Sequence, residues 1–391
     1  MKLIRRAISE TLITASENFP VVTILGPRQS GKTTLVKNIF PGYTYVNLED
    51  PETYSIAMED VNAFFSMYKT PMIIDEVQRA PQILSKIQVI VDEVGKNGMF
   101  ILTGSFQQAL KLSVSQSLAG RTALLNLLPL SITELAEAGT DCTRDEYIYN
   151  GFMPRHYANN QPVNMLYSAY FQTYVEKDVQ TLLGIRKKSN FDKFIKLLAG
   201  RVGQVVNLDS LSNDTGVSSE TIASWLSVLE SSFVIFRVEP FYENYTKRLV
   251  KSPKIYFSDT GLLCYLLGIR KADQVSRDPL LGKLFENLVV LEILKAQYSR
   301  GEEKNLYFFR DSKGFEIDCI IPAREGFVPV EIKSAMTFNG DFANKLRRME
   351  KITDKAFNPT VIYSGNAEGN FQGAHFVNFK KTAGFLRQMA E

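Results

Sequence analysis

The sequence predicts an α/β protein built on a parallel sheet, and three observations carry that prediction. The apolar run Val21–Leu25 leads directly into Gly26-Pro27-Arg28-Gln29-Ser30-Gly31-Lys32-Thr33, after which Leu35, Val36, Ile39 and Phe40 recur at helical spacing. Apolar runs return at 43–48, 72–74, 99–102 and 122–128, alternating with helical patterns. One of them ends in the acidic pair Asp75-Glu76, at the end of a buried strand where parallel sheets hold their ligands.

The strand, glycine loop and helix around residue 26 predict a phosphate cradle. Glycines let successive N–H groups curl toward a phosphate, and the helix adds its positive end. Gly26, Pro27, Arg28, Gln29, Ser30, Gly31, Lys32, Thr33 and Thr34 are the candidate contacts. Lys32 would reach the β- and γ-phosphates of ATP, and Thr33 would hold Mg²⁺. Pro41-Gly42 stops the helix. Hydrolysis needs a metal shell and a base for water, roles that suit Asp75 and Glu76. The run at 99–102 ends in Thr103-Gly104-Ser105, whose hydroxyls could sense the γ-phosphate or serve only as a strand-end turn. Arg121 precedes the fifth run.

Bulk properties set the frame. The chain has 391 residues, 45% hydrophobic and 22% charged, enough for two or three domains. Apolar stretches such as 122–132 are too short to span a membrane and contain Asn126 and Pro129, so no membrane partner is expected. The start, Met1-Lys2-Leu3-Ile4-Arg5-Arg6, reads as an amphipathic helix rather than a secretion signal, and the expected location is cytoplasmic. Three isolated cysteines, Cys142, Cys264 and Cys319, with only His156 and His375, argue against disulfides and zinc. Charge is balanced, 45 Lys and Arg against 42 Asp and Glu, so nucleic-acid binding would need a local patch.

Residues 131–203 carry helical spacing through Leu135, Tyr170, Tyr174, Phe191, Phe194 and Leu198, suiting a helical lid over the 1–130 core. Lys177, Lys187 and Lys188 read as a solvated face. Over 204–268, Leu208 and Leu211 begin a short helix that breaks at Gly216. A second helix, capped by Ser218 or Ser219, carries Ile222, Trp225, Leu226 and Leu229, and strands follow at 233–238 and 254–257. That order reads as a winged helix-turn-helix, with Lys247, Arg248, Lys251 and Lys254 available for DNA phosphates. The second helix offers no Arg, Lys, Asn or Gln, so base readout is not expected, and use of the module for packing or subunit contact remains open. Asp259 is placed to cap the helix 261–267.

In 269–391, a buried helix from Gly282 is followed by a strand at 306–309 and alternating runs at 315–321 and 327–332, joined as a hairpin. Glu316 and Asp318 share one strand face, and Glu331 and Lys333 share another. Pairing brings Asp318, Glu331 and Lys333 together, with Glu286 arriving from the helix. Lys345, Arg347, Arg348 and Lys351 form a basic cluster beyond.

The first half resembles AAA-type ATPases of the additional-strand class. That resemblance implies that Arg121 acts as an arginine finger on a neighbouring subunit's γ-phosphate, and hence a homo-oligomer. Ile74-Asp75-Glu76-Val77-Gln78, Leu102-Thr103-Gly104-Ser105, Gly120-Arg121 and Leu128-Pro129-Leu130-Ser131 narrow it to a widespread prokaryotic family of AAA-type ATP-binding proteins with a C-terminal domain of unknown function. The family's G-G-[FY]-P lid element is here Gly151-Phe152-Met153-Pro154, which implies an adenine contact at Pro154 although the second glycine is replaced. The C-terminal constellation resembles the PD-(D/E)XK nuclease fold. It implies a second Mg²⁺ held by Glu286, Asp318 and Glu331 and a catalytic Lys333, although Ile317 stands where that pattern has proline. Two functions follow: an ATPase driving a DNA-acting nuclease, or a nucleotide-switched ATPase whose later domains bind a protein or DNA without cutting.

Overall fold

In a computed structural model, the chain is described at residues 3–105, 117–179, 188–241, 252–353 and 355–390. Five parallel strands, β1 (Val21–Leu25), β2 (Thr44–Asn47), β3 (Met72–Asp75), β4 (Phe100–Gly104) and β5 (Thr122–Asn126), lie in the order β2-β3-β4-β1-β5. β1, β3 and β4 are buried throughout, as continuous apolar runs in a parallel sheet should be. Alternation sends Val22, Ile24, Ile73 and Ile101 to a face covered by α1 (Ser9–Asn18) and α2 (Lys32–Ile39), while Val21, Leu25, Ile74 and Leu102 join the larger core opposite.

Short helices follow: Ile132–Glu137, Arg144–Asn150, Pro154–Asn159 and Val163–Tyr170, a π-helical segment Phe171–Val179, and Lys188–Ala199. Two of them open with full capping boxes, Ser131 with Glu134 and Thr143 with Glu146. The side chains of Lys177, Lys187 and Lys188 lie outside the described residues.

Helices α3 (Leu208–Thr215) and α4 (Ser219–Ser231) meet at Gly216, whose φ of 72° suits glycine. Ser218 caps α4, its Oγ accepting from Thr221 N at 3.2 Å. Trp225 packs against Phe191 and Phe194, at 5.4 and 5.2 Å between centroids, so α4 is fastened to the preceding helices. Strands β6 (Ile235–Pro240) and β7 (Lys254–Phe257) pair antiparallel, and Asp259 caps α5 (Thr260–Leu267) through Gly261 N and Leu262 N.

The long helix α6 (Leu281–Ser299) then leads into β8 (Tyr307–Arg310), β9 (Glu316–Ala323) and β10 (Gly326–Lys333). Helix α7 (Asn344–Glu350) precedes β11 (Thr360–Tyr363), β12 (Gly369–Phe371) and β13 (Ala374–Asn378). These strands form one eight-stranded sheet, β12-β13-β11-β10-β9-β8-β6-β7. The division expected at 268/269 is therefore no break in the sheet, because β6 pairs parallel with β8 through Glu239 and Pro240.

Lys254 corrects one expectation. It does not reach outward toward a DNA backbone; it is 1% exposed and its ammonium is enclosed by carboxylates. Lys247, Arg248 and Lys251 lie outside the described residues. Among the described residues, no helix is long and apolar enough to cross a membrane.

Candidate functional site

The parallel sheet sets the first site. Register pairs Leu25 with Gly104 and Asn126, so the glycine loop leaves β1 beside the ends of β4 and β5. Gly26 is required there: a Cβ would stand 2.1 Å from Leu127 O. Gly31 has φ 93°, and Lys32 opens α2 immediately after it. Lys32 Nζ donates to Gly26 O and Pro27 O, both at 2.9 Å, and burial draws its pKa down from the ordinary lysine value against the attraction of Glu76 and Asp75.

Hydroxyl groups surround the acidic pair. Thr33 Oγ1 and Tyr45 OH each donate to Asp75 Oδ2 at 2.8 Å, and Thr103 Oγ1 donates to Asp75 Oδ1. Glu76 takes a left-handed backbone, φ 57°, and its N–H donates to Thr103 Oγ1 at 3.2 Å. Its Oε2 accepts from Ser105 Oγ at 2.9 Å and from Gln78 Nε2. Thr33, Asp75, Glu76, Thr103 and Ser105 are thus one hydrogen-bonded group. Its oxygens are hard donors gathered at a phosphate loop, the chemistry that suits Mg²⁺ carried with a nucleotide.

A cavity of about 840 Å³ opens on this group, lined by Arg28, Lys32, Thr34, Glu76, Pro154 and Tyr174 among others. Its size suits a small-molecule ligand. Pro154 belongs to it because a Cβ on Gly31 would come within 3.9 Å of Pro154 Cγ. The lid element is itself pinned: Phe152 N donates to Asp259 Oδ2 at 2.9 Å, and a Cβ on Gly151 would lie 2.0 Å from Tyr167 OH. Arg28 extends over the Tyr174 ring at 5.8 Å, linking loop and lid.

Arg121 lies at the opposite end of the sheet, where its carbonyl accepts from Val21 N at the start of β1. Asp92 holds its guanidinium through two contacts, at 2.6 and 2.9 Å. It is a strand's length from its own loop, so a γ-phosphate contact would be to another copy.

The second set of residues assembles differently from the expectation. Val330 pairs with Cys319, which sets Glu331 opposite Asp318, and Ile332 N donates to Asp318 Oδ2 at 2.9 Å. Lys333 Nζ lies 2.5 Å from Glu331 Oε2 and 4.0 Å from Asp318 Oδ2, so the strand residues do meet. Lys345 Nζ takes the other Glu331 oxygen at 3.2 Å. Glu286, expected beside them as a third ligand, faces donors of its own. Its Oε1 accepts from Tyr256 OH at 2.6 Å and Lys254 Nζ at 3.1 Å, and its Oε2 pairs with Lys283 at 2.6 Å. Lys254 also pairs with Glu316 at 2.7 Å. Among the described residues, no group of three or more His, Cys, Asp and Glu side chains is placed to hold a metal ion. Lysine ammoniums thus sit on Glu286 and Glu331, the expected ligands, while Asp318 accepts from the Ile332 N–H.

Electrostatics follow from that packing. Burial, with Asp318 adding to it, raises the Glu331 pKa to about 7. Burial acts the same way on Asp318, but Lys333, Lys254 and Lys345 outweigh it and draw its pKa down. Burial opposes the charge on Lys254, and Glu286, Asp318 and Glu316 overcome it and raise its pKa.

Sequence reasoning passed over Tyr45 and Gln78, which hold Asp75 and Glu76, and Arg6, which braces the loop. Tyr45 was visible only as one position in the apolar run 43–48.

Residues 18–136 match the family described as AAA domain, 143–273 a domain of unknown function (DUF8612), and 281–381 a domain of unknown function (DUF4143). An uncharacterized protein of Mycobacterium tuberculosis is 30% identical over 342 residues, covering 86% of this chain and 75% of the relative. An uncharacterized protein of Haemophilus influenzae is 25% identical over 382 residues, covering 88% of this chain and 91% of the relative. Among solved structures, the Walker-type ATPase of Pyrococcus abyssi overlaps 68% of this chain and 96% of that chain, with 14% identity and a TM-score of 0.43.

Proposed function

The chain belongs to the same family as the mycobacterial protein and carries an AAA domain, and we propose that it is a Mg²⁺-dependent ATPase acting as a nucleotide-controlled switch. The observation that carries this reading is the hydrogen-bonded group of Thr33, Asp75, Glu76 and Thr103, whose Thr33 and Glu76 line the cavity beside Lys32. The loop N–H groups and Lys32 bind the phosphates, and Pro154 closes over the base. Glu76 accepts the proton of the attacking water, oriented by Ser105 and Gln78. Thr33 and Asp75 would hold Mg²⁺, which would supply charge neutralisation at the phosphate oxygens. Arg121 of a second copy adds its fork to the γ-phosphate, making the assembly a homo-oligomer.

The C-terminal region acts by binding a protein or nucleic acid rather than by cutting. Lys254, Lys333 and Lys345 on the carboxylates favour that reading over the nuclease. Incubating the full-length protein with ATP and Mg²⁺ should release phosphate, with loss of release in Lys32→Ala. The same protein should leave linear, nicked and branched DNA intact with Mg²⁺ or Mn²⁺. Cleavage that disappears in Lys333→Ala would restore the nuclease reading, and phosphate release unchanged in Lys32→Ala would remove the ATPase.

A further inference from the structure

We propose that Arg6 is a positioning residue for the phosphate loop, one that turns the Gly31 N–H toward the β-phosphate. This rests on the nucleotide reading above and adds to it a residue from outside the AAA match, which begins at residue 18. Arg6 precedes α1 and is 8% exposed. Its Nη1 donates to Ser30 O at 2.7 Å, its Nη2 to Leu128 O at 2.7 Å, and its Nε to Glu134 Oε1 at 3.0 Å.

A peptide unit is planar and trans, so its C=O and N–H point in opposite directions. Holding Ser30 O against the buried guanidinium turns the N–H of the same unit, that of Gly31, the other way. Arg6, Gly31, Lys32 and Thr33 all line the cavity, so the peptide unit that Arg6 holds belongs to the wall of the phosphate cradle. The bond between Ser30 and Gly31 needs such a hold because Gly31, at φ 93°, has the conformational freedom to adopt other orientations. A guanidinium suits the task where an ammonium would not: its flat fork meets the loop carbonyl, the β5 end and the lid carboxylate at once.

Glu134 makes the link two-sided. The oxygen that accepts from Arg6 also accepts from Ala7 N at 2.7 Å, while Oε2 accepts from Ser131 N at 2.8 Å and closes the first lid helix's capping box. Arg6 therefore sets the phosphate loop against both the end of the sheet and the start of the lid.

Because the loop cradles the β-phosphate, the effect should depend on phosphate number. Equilibrium binding of ADP and AMP to the full-length wild type, Arg6→Gln and Arg6→Lys tests it. ADP should weaken on the order of tenfold in Arg6→Gln, less in Arg6→Lys, with AMP within about twofold of wild type in both. Equal losses for ADP and AMP would reduce Arg6 to a general fold contact and overturn the inference, as would no loss at all. Should Arg6→Gln fail to fold, the ADP-to-AMP ratio in Arg6→Lys decides alone. Wild type that bound no ADP would bring down the nucleotide reading itself, which a normal wild type with insensitive variants would leave standing.

Discussion

Asp75 and Glu76 end one buried strand, Asp318 and Glu331 face each other across two others, and the donors that satisfy them differ in kind. The first pair is held by Thr33, Tyr45, Thr103, Ser105 and Gln78, all neutral, with Lys32 turned onto loop carbonyls. Ammonium groups hold the second, Lys333 and Lys345 on Glu331, with Lys254 on the neighbouring Glu286 and Glu316. Neutral donors leave the carboxylates' charge available to an incoming cation. Ammoniums compete with such a cation, so acidic pairs on buried strands meet different kinds of donor in the two regions.

The largest expected effect that could break this contrast lies in the first site. Glu76→Gln should lower ATP turnover by about 10²–10⁴-fold while ATP still binds, and Lys333→Ala should leave turnover unchanged. Phosphate-release and nucleotide-binding assays on both variants check it, and a turnover loss in Lys333→Ala would join the two sites.

Next comes the second site's cohesion. Lys254→Met leaves the buried Glu286 and the half-buried Glu316 against an apolar side chain, with Lys283 and Arg310 as their remaining cations, and should cost about 3 kcal/mol of stability in urea denaturation. A cost below about 1 kcal/mol would mean that the ammonium is not what neutralises them.

The smallest effect sharpens the contrast through pH. The Glu331 carboxyl holds its proton to about pH 7 in the fold, against an ordinary carboxylate near 4.5. The folded state therefore binds more protons between those values, and the stability this group contributes is fully present below about pH 4.5 and is lost as pH rises through 7. Comparing wild type with Glu331→Gln by denaturation at pH 5 and pH 8, the variant should gain relative to wild type on the order of 2 kcal/mol at the higher pH. A pH-independent difference would place Glu331 among ordinary ionised carboxylates.

The first site was legible because its parts are local. The loop, its strand and its helix are contiguous, and Asp75 and Thr103 end runs whose burial the sequence already displays. Pro154 was reachable only through family resemblance. Arg6 was not legible, since its partners Ser30, Leu128 and Glu134 lie far along the chain and one arginine before an amphipathic helix carries no mark of them. Lys254 misled for a related reason: all four residues of its strand are buried, and the carboxylates that meet its ammonium lie far along the chain. Glu286 was expected beside Asp318, and the lysine that pairs with it came from a segment assigned to a different domain. The hairpin of β9 and β10 was readable from alternation, whereas the pairing of β6 with β8 joins strands across a long connection and leaves no local pattern.

That last pairing has a consequence for synthesis. As the chain emerges, β6 can take β7 as a partner on one side, but its other edge has none until β8 has been made, after the whole of α6. The nascent protein thus carries an open strand edge while residues 241–306 are made, a template for wrong pairing with other chains. Fragments ending near residue 268 keep that edge permanently bare. They should aggregate where the full-length chain does not, and attempts to study the third segment alone will succeed better when β8 is carried with it.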